Sequence, residues 1–488
     1  MLKDAPQFTL HLLLRRVYDY VVNTVKTPEK FFLTIAGLFG VMCVFLIPPM
    51  QAPDEQAHFY RAYQVSNLSL FAEKFTNEGQ VHYGAQLPVS VYEASETFRI
   101  PVAGNPTQAF NASYYRQYLR QPLEPHKTRM VSNEAGNMYS PVIYIAQAVG
   151  ITIGKVFNAS PLIIIWLGRL ANLALWLILI YMAIRLFPYA KWGLTLLALN
   201  PVSLTQSASL SGDVFTVGTA FLFVSAVMYL YSQRTKVSNK QLIMIAGLTG
   251  LMCLGKPVNI LLSFLLLILP TRFFGSLGRR AIFVAAAVGI SIILGLAWNL
   301  AVKDIINSAV SYQRPGGQVT PSAQIDYIAH HPLQYAKTII TNFVLVTDGS
   351  SADAVLRTYS GVFGWLDTSL PLWTQVVYVA ALLLGVLYQF GRGKSVEIKW
   401  KIGALILFGV MFVGNVTAMY LNYTPVGARI FEGVQGRYFI PASILLLLIA
   451  TSKKKFITDN ETVMRVVLLL AMMIVLGMTL LKLATRYY

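Results

Sequence analysis

Of the 488 residues, 55% are hydrophobic and only 12% are charged, and a mean hydropathy of +0.56 excludes a soluble protein of this length in favour of a multi-pass membrane protein. The formal charge of +18 does not indicate nucleic acid, because the basic residues punctuate the gaps between apolar runs instead of gathering on one polar face. Cys43 and Cys253 both fall inside apolar runs, so neither a disulfide framework nor a cysteine metal site is indicated.

Residues 1–30 carry Lys3, Arg15, Arg16, Lys26 and Lys30 around an apolar-periodic segment, Phe8 to Val25. This predicts an amphipathic helix lying on the cytoplasmic leaflet. Thr27-Pro28-Glu29 reads as a helix start, with Thr as cap and Pro first inside, and opens a span over 31–47. The polar stretch 49–140 is rich in Tyr, Gln, Asn and Pro, too polar to cross a bilayer and too aromatic for a disordered linker, so it is expected to be an ordered outer loop. Residues 141–157 are read as an interfacial or re-entrant helix, since a span there would put Arg185, Lys191, Arg234, Lys236 and Lys240 outside. Further spans are expected at 162–184, 192–210, 214–231, 241–254, 258–271, 281–300, 372–390, 402–421, 438–451 and 464–482, eleven in all. A second long outer loop, 301–371, contains an apolar-periodic piece at 335–346 that is also expected to lie along the membrane.

This arrangement puts sixteen Lys and Arg residues in the five short inner loops and three in the short outer ones, namely Lys256, Arg429 and Arg437. The bias places the N-terminus inside and the C-terminus outside. The fold class is thus an all-α polytopic membrane protein, with a segment 1–30 and one transmembrane domain over 31–488.

The stretch Pro48 to Arg61 (PPMQAPDEQAHFYR) sits where the first apolar run meets water and is the leading candidate site. Pro48 and Pro49 stop the apolar helix, Pro53 suits the start of the next, and Asp54, His58 and Arg61 recur at i, i+4 and i+7 on one helical face. Asp54, Glu55 and His58 are the candidate catalytic groups, with Glu55 either catalytic or simply a first-turn acid that complements the helix N-terminus. Asp213, in SLSGD, and Lys256, in LGKP, are expected on the same outer side; Lys256 either snorkels or binds an anion. In EGVQGRYFIP the glycines permit close backbone approach and Arg437 offers a fork of donors suited to phosphate, against the alternative of an interfacial Arg-Tyr anchor. Tyr139, Gln435, Tyr438, Trp365 and Asp367 complete the candidate substrate-binding set, with Arg61 grouped with the phosphate-binding cations. His330-His331 has no metal-ligand spacing and reads as a loop feature. No Walker loop, GxSxG elbow, HExxH or Rossmann fingerprint is present.

The strings PPMQAPDEQAHFYRAYQVS, NPVSLTQSASLSGD, GKP, FGWLD and EGVQGRYFIP together resemble a large bacterial family of multi-pass proteins long catalogued as a domain of unknown function, over about residues 35 to 450. That family is similar to the GT-C glycosyltransferases, polytopic enzymes that use polyprenyl-phosphate sugars. The resemblance implies a GT-C-like fold and a catalytic acid or base at Asp54, a second outer carboxylate at Asp213, and donor-phosphate contacts at Arg437 and Lys256. Its implied partners are a polyprenyl-phosphate-linked sugar, a glycan or lipid acceptor, and membrane lipids, at the outer face of a bacterial cytoplasmic membrane. The chain departs from it in having no sizeable soluble domain after the last span, which leaves acceptor recognition to the two long outer loops. A transporter or flippase of lipid-linked saccharides is the alternative, and a scaffold in an envelope-polysaccharide complex a third reading. Asp54, Glu55, His58 and Asp213 are of the types that ligate divalent metals; the expectation is a metal-independent transferase with no cofactor.

Overall fold

A computed structural model describes residues 26–488 apart from 101, 311, 315, 345–349, 389–394 and 453–459. The expected amphipathic segment Phe8 to Val25, Lys3, Arg15 and Arg16, and the inner-loop cations at 392, 394 and 453–455 lie outside the described residues.

Among the described residues, six helices are long and apolar enough to cross a membrane: Pro28–Leu46, Pro161–Leu186, Asp213–Gln233, Leu277–Ala301, Ile398–Asn422 and Glu461–Tyr487. They coincide with six of the eleven expected spans, and shorter apolar helices stand at Pro257–Ile268, Leu372–Tyr388 and Gly436–Ile449. The expected span 192–210 is broken at Asn200-Pro201 into the short helices Lys191–Ala198 and Pro201–Ser207. The cause is local: Pro201 lacks the amide that would continue the helix, and the Asn200 side chain accepts from Val202 N–H at 2.8 Å and starts a new one. Residues 257–268 form a 3₁₀ run, and the QGRYF string begins with another, Gly436–Phe439, before the ten-residue helix Ile440–Ile449. Asn239–Gly255 and Leu372–Tyr388 have 17 residues each. A helix of that length rises about 26 Å, a little short of the roughly 30 Å apolar core of a bilayer.

Thr27 accepts from Lys30 N–H at 3.3 Å and Pro28 is the first helical residue, so the first span starts as its sequence dictates. The segment after Ser140 forms a short 3₁₀ turn and the helix Ile145–Val156, which packs along Pro161–Leu186. Gly150 and Gly154 make that approach close: a Cβ on Gly150 would stand 2.2 Å from the Leu167 carbonyl oxygen. The other face of the helix exposes Ile145, Val149, Ile153 and Val156.

The polar stretch 49–140 contains more than the helices expected of an all-α chain. Strands β1 (Glu73–Asn77), β2 (Gln80–Pro88) and β3 (Thr128–Ser132) form an antiparallel sheet in the order β1-β2-β3. The β1–β2 hairpin turns through Glu78 at φ 51° and Gly79 at φ 79°, the left-handed pair that a two-residue hairpin loop demands. Helices Val89–Arg99 and Ser113–Arg120 complete this region. In the second long loop, Pro332–Phe343 packs Tyr335, Ile339 and Phe343 into a cluster with Phe412, Phe431 and Phe439.

Both loop regions converge on the same end of the helix bundle, where the last helix also ends. Arg486 pairs with Asp367 at 2.8 Å and donates to the carbonyls of Val102, Asn105 and Gln108 at 2.8–3.0 Å. It thereby ties the FGWLD segment, the first loop and the end of the chain together.

Candidate active site

The PPMQAPDE stretch is a tight connection between the first long helix and the helix Glu55–Ser66. Met50 and Asp54 both have positive φ, at 64° and 59°. Asp tolerates that region better than Met, whose conformation costs energy that the surroundings must repay. Trp365 Nε1 donates to the Met50 carbonyl at 3.2 Å, and Gln51 Nε2 donates to the Phe98 carbonyl at 2.7 Å.

Ending a helix at consecutive prolines leaves its last carbonyls without intrahelical donors. Arg169, from the first half of Pro161–Leu186, supplies them: Nη1 donates to the Val44 and Ile47 carbonyls at 3.0 and 2.6 Å, and Nη2 to that of Pro48 at 3.0 Å. Its Nε and Nη2 also donate to the two Glu55 carboxylate oxygens at 2.7 Å each. Glu55 additionally accepts from Leu210 N–H at 3.1 Å, and both side chains are fully buried. Glu55, one of the three expected catalytic groups, therefore stands away from the open site with its carboxylate fully engaged. Arg61 is likewise buried. It donates to Gln64 Oε1 and the Leu70 carbonyl at 2.9 Å and to the Tyr139 carbonyl at 3.3 Å, so it fixes the main chain behind the site instead of facing a phosphate.

Asp54, His58, Tyr139, Asp213, Lys256 and Arg437 line one small polar cavity of about 50 Å³, closed on the side by Tyr438. Asp54 flanks its helix but makes no capping bond, and its carboxylate is 64% exposed. His58 Nδ1 lies 2.7 Å from the Tyr144 hydroxyl. Burial pushes the His58 pKa below the ordinary value; the Asp54 and Asp213 carboxylates oppose that shift, while Arg437 and Lys256 reinforce it. Lys256 Nζ donates to Asp213 Oδ1 at 2.7 Å. Burial works to lower the Lys256 pKa, but the Asp213 carboxylate together with Tyr139 and Tyr438 outweighs it and holds the ammonium above the ordinary lysine value. Tyr139 is pushed upward by burial and stays a neutral hydroxyl.

Arg437 is the centre of this set. Its terminal nitrogens stand 3.8 Å from Asp54 Oδ2 and 3.7 Å from Asp213 Oδ2, too far for hydrogen bonds, and its Nε is buried without a partner. The guanidinium is thus held between two carboxylates and beside Tyr438, with its Nε unpaired. Gly436 positions it: a Cβ there would come within 2.3 Å of the Tyr359 amide and the Val355 carbonyl oxygen, and Gly436 N–H donates to Thr358 Oγ1 at 2.7 Å. The string is therefore seated directly on helix Ser351–Ser360.

On the other side of Arg437 lies a second cavity of about 20 Å³, lined also by Gln51, Gln206, Gln435 and Tyr487. The side-chain oxygens of these four residues are buried and unpaired, like Arg437 Nε. Gln435 of the expected substrate set therefore belongs to this second cavity. Trp365 and Asp367 lie outside the first cavity: Trp365 holds Met50, and Asp367 is engaged by Arg486. Tyr144 and Gln206 were not singled out from sequence, although Gln206 falls within the NPVSLTQSASLSGD string. Among the described residues no three His, Cys, Asp or Glu side chains are grouped to hold a metal ion; of the four candidate ligands, Glu55 is committed to Arg169.

No curated protein and no solved structure matches the chain. The family described as "Predicted membrane protein (DUF2142)" matches residues 38–449, from within the first long helix to the end of the helix that follows the QGRYF string. The match includes every member of the polar cavity, and six helices are of a length and composition to cross a bilayer: the chain is a multi-pass membrane protein and belongs to the DUF2142 family.

Proposed function

We propose that the protein is a membrane glycosyltransferase that moves a sugar from a polyprenyl-phosphate donor to an envelope glycan or lipid acceptor. The observation that carries this reading is Arg437, which stands between Asp54 and Asp213 and beside Lys256 at distances too long for hydrogen bonds to either carboxylate and with its Nε unpaired. The four charges cancel in pairs, so the cavity receives a phosphate by re-aiming two cations that are already ordered. The acceptor hydroxyl oxygen attacks the anomeric carbon as Asp54 takes its proton. The bond from that carbon to the phosphate oxygen breaks, and its electron pair leaves on the phosphate, held by Arg437 and Lys256. Direct displacement inverts the anomeric centre. Arg169, a buried charge in the first half of an apolar helix, is consumed by Glu55 and three carbonyls and offers nothing to a passing substrate, which favours a transferase over a flippase.

Purified protein incubated with a panel of polyprenyl-phosphate sugars tests the reading through donor binding and transfer. In the Arg437→Lys variant donor binding should weaken by about 1.5–3 kcal/mol, because a point charge cannot replace a forked contact. Unchanged donor affinity would leave Arg437 as a membrane anchor.

The reading places the site on the outer face of a bacterial cytoplasmic membrane. Its support is the clustering of Arg185, Lys191, Arg234, Lys236, Lys240, Arg272, Arg279 and Arg280 in connections that the expected topology assigns to the inner side. A cysteine introduced as Lys236→Cys should resist an impermeant thiol reagent in intact cells and react after lysis. Reaction in intact cells would reverse the sidedness.

A further inference from the structure

Beside the site lies a groove of about 490 Å³, far larger than the polar cavity, between the β1–β2–β3 sheet and helix Val89–Arg99. It shares a wall with the polar cavity, because Gln56 and Tyr60 line it from the same helix that places His58 in the site. Positions two apart on a 3.6-residue helix lie about 200° round the axis, so one helix separates two cavities and serves both.

The lining has a definite chemistry. Tyr60 and Tyr92 lie near-parallel with centroids 6.4 Å apart, and Phe75 pairs with His82 on the sheet at 5.6 Å. Between the rings stand planar polar groups that are already oriented. Gln56 Nε2 donates to Glu96 Oε1 at 2.8 Å and to the Tyr60 hydroxyl at 3.0 Å, and that hydroxyl meets Ser95 Oγ at 2.6 Å. Arg129 lies 4.1 Å over the Tyr92 ring. Neither Arg129 nor Arg99 pairs with a carboxylate among the described residues, so the groove carries two uncommitted guanidinium groups against the single carboxylate of Glu96.

A lipid tail would want a continuous apolar wall, and this groove interrupts every ring with a polar group. A pyranose chain presents the matching alternation: C–H faces that lie on rings, and rims of hydroxyls that pair with amide, carboxylate and guanidinium edges. The excess of cations selects a chain bearing carboxylates. The volume falls in the range of a site for an organic ligand of several rings. We propose that this groove binds an anionic oligosaccharide, such as a uronic-acid-bearing glycan; that it holds the acceptor next to Asp54 rests on the transferase reading, whereas its ligand class does not.

The test is calorimetric titration of the full-length protein in detergent with a mannuronate hexamer, and with maltohexaose as a neutral chain of equal length. The mannuronate should bind at least about ten-fold more tightly, and the Arg99→Gln/Arg129→Gln double variant should lose that margin while staying monodisperse. Tyr92→Ala should weaken both chains, and Asp54→Asn should weaken neither. Equal binding of the two hexamers, or a preference that survives the double arginine variant, overturns the proposal. Mannuronate binding without any sugar transfer would remove the transferase reading and keep the groove. Transfer by a protein that does not bind the hexamer would do the reverse.

Discussion

Replacing Glu55 by Gln should lower the unfolding free energy by about 3–5 kcal/mol, the cost of leaving one member of a buried pair uncompensated. The five N–H groups of Arg169 all have acceptors, two on Glu55 and three on the carbonyls where the first long helix ends. Removing the carboxylate charge strands a fully buried guanidinium, while a neutral Gln replaces only part of the forked contact. Native stabilities are typically about 5–15 kcal/mol, so this loss takes a large share of the whole. Thermal unfolding in detergent, followed by light scattering, should show Glu55→Gln and Arg169→Met both failing early, and transfer activity lost with the fold. A Glu55→Gln protein with a wild-type midpoint and no turnover would return Glu55 to the catalytic set.

Asp54→Asn should have the opposite signature. The carboxylate is largely exposed and makes no capping bond, so the midpoint and donor binding should stay near wild type. Transfer should fall by about 10²–10⁴-fold, the usual contribution of a positioned base. Near-wild-type turnover in a defined donor and acceptor assay would make the PPMQAPDE stretch structural. The same assay run against pH reads His58. Its folded pKa lies below the ordinary 6.5, so the imidazole stays neutral into mildly acidic buffer and the acid limb of the profile should fall below that value. The unfolded chain takes up this proton first as pH drops, so folding stability should decline below pH 6.5, and His58→Gln should remove that part of the decline.

Most of the polar cavity was legible in sequence because its members sit in short strings that break apolar runs. Asp54 and His58 share a helical face, while Asp213, Lys256 and Arg437 occur at the margins of apolar segments, where charge is unusual. Glu55 was misleading for a physical reason. A first-turn acid looks the same whether it faces water or a partner, and Arg169 lies 114 residues away in the chain. Arg61 shares the i+7 stripe with Asp54, but it lies two turns further along, where the helix is covered by the 70 and 139 backbone. The sheet was overlooked although Glu78-Gly79 between two β-compatible runs is a hairpin signal. Apolar composition outlasted the helix at Asn200-Pro201, because hydropathy does not register a capping side chain.

The clamp made by Arg486 bears on how such a chain is built. Arg486 is synthesised 378 residues after Gln108 and 119 after Asp367, and it joins both. Contacts of such long sequence separation form late, since the entropy of closing the intervening chain must be met first. During synthesis the first loop can fold its own sheet, yet the loop end of the bundle remains unlocked until the last helix has entered the membrane. A chain that stops short of Arg486 presents Asp54 and Arg437 without the tether that ties their surroundings together.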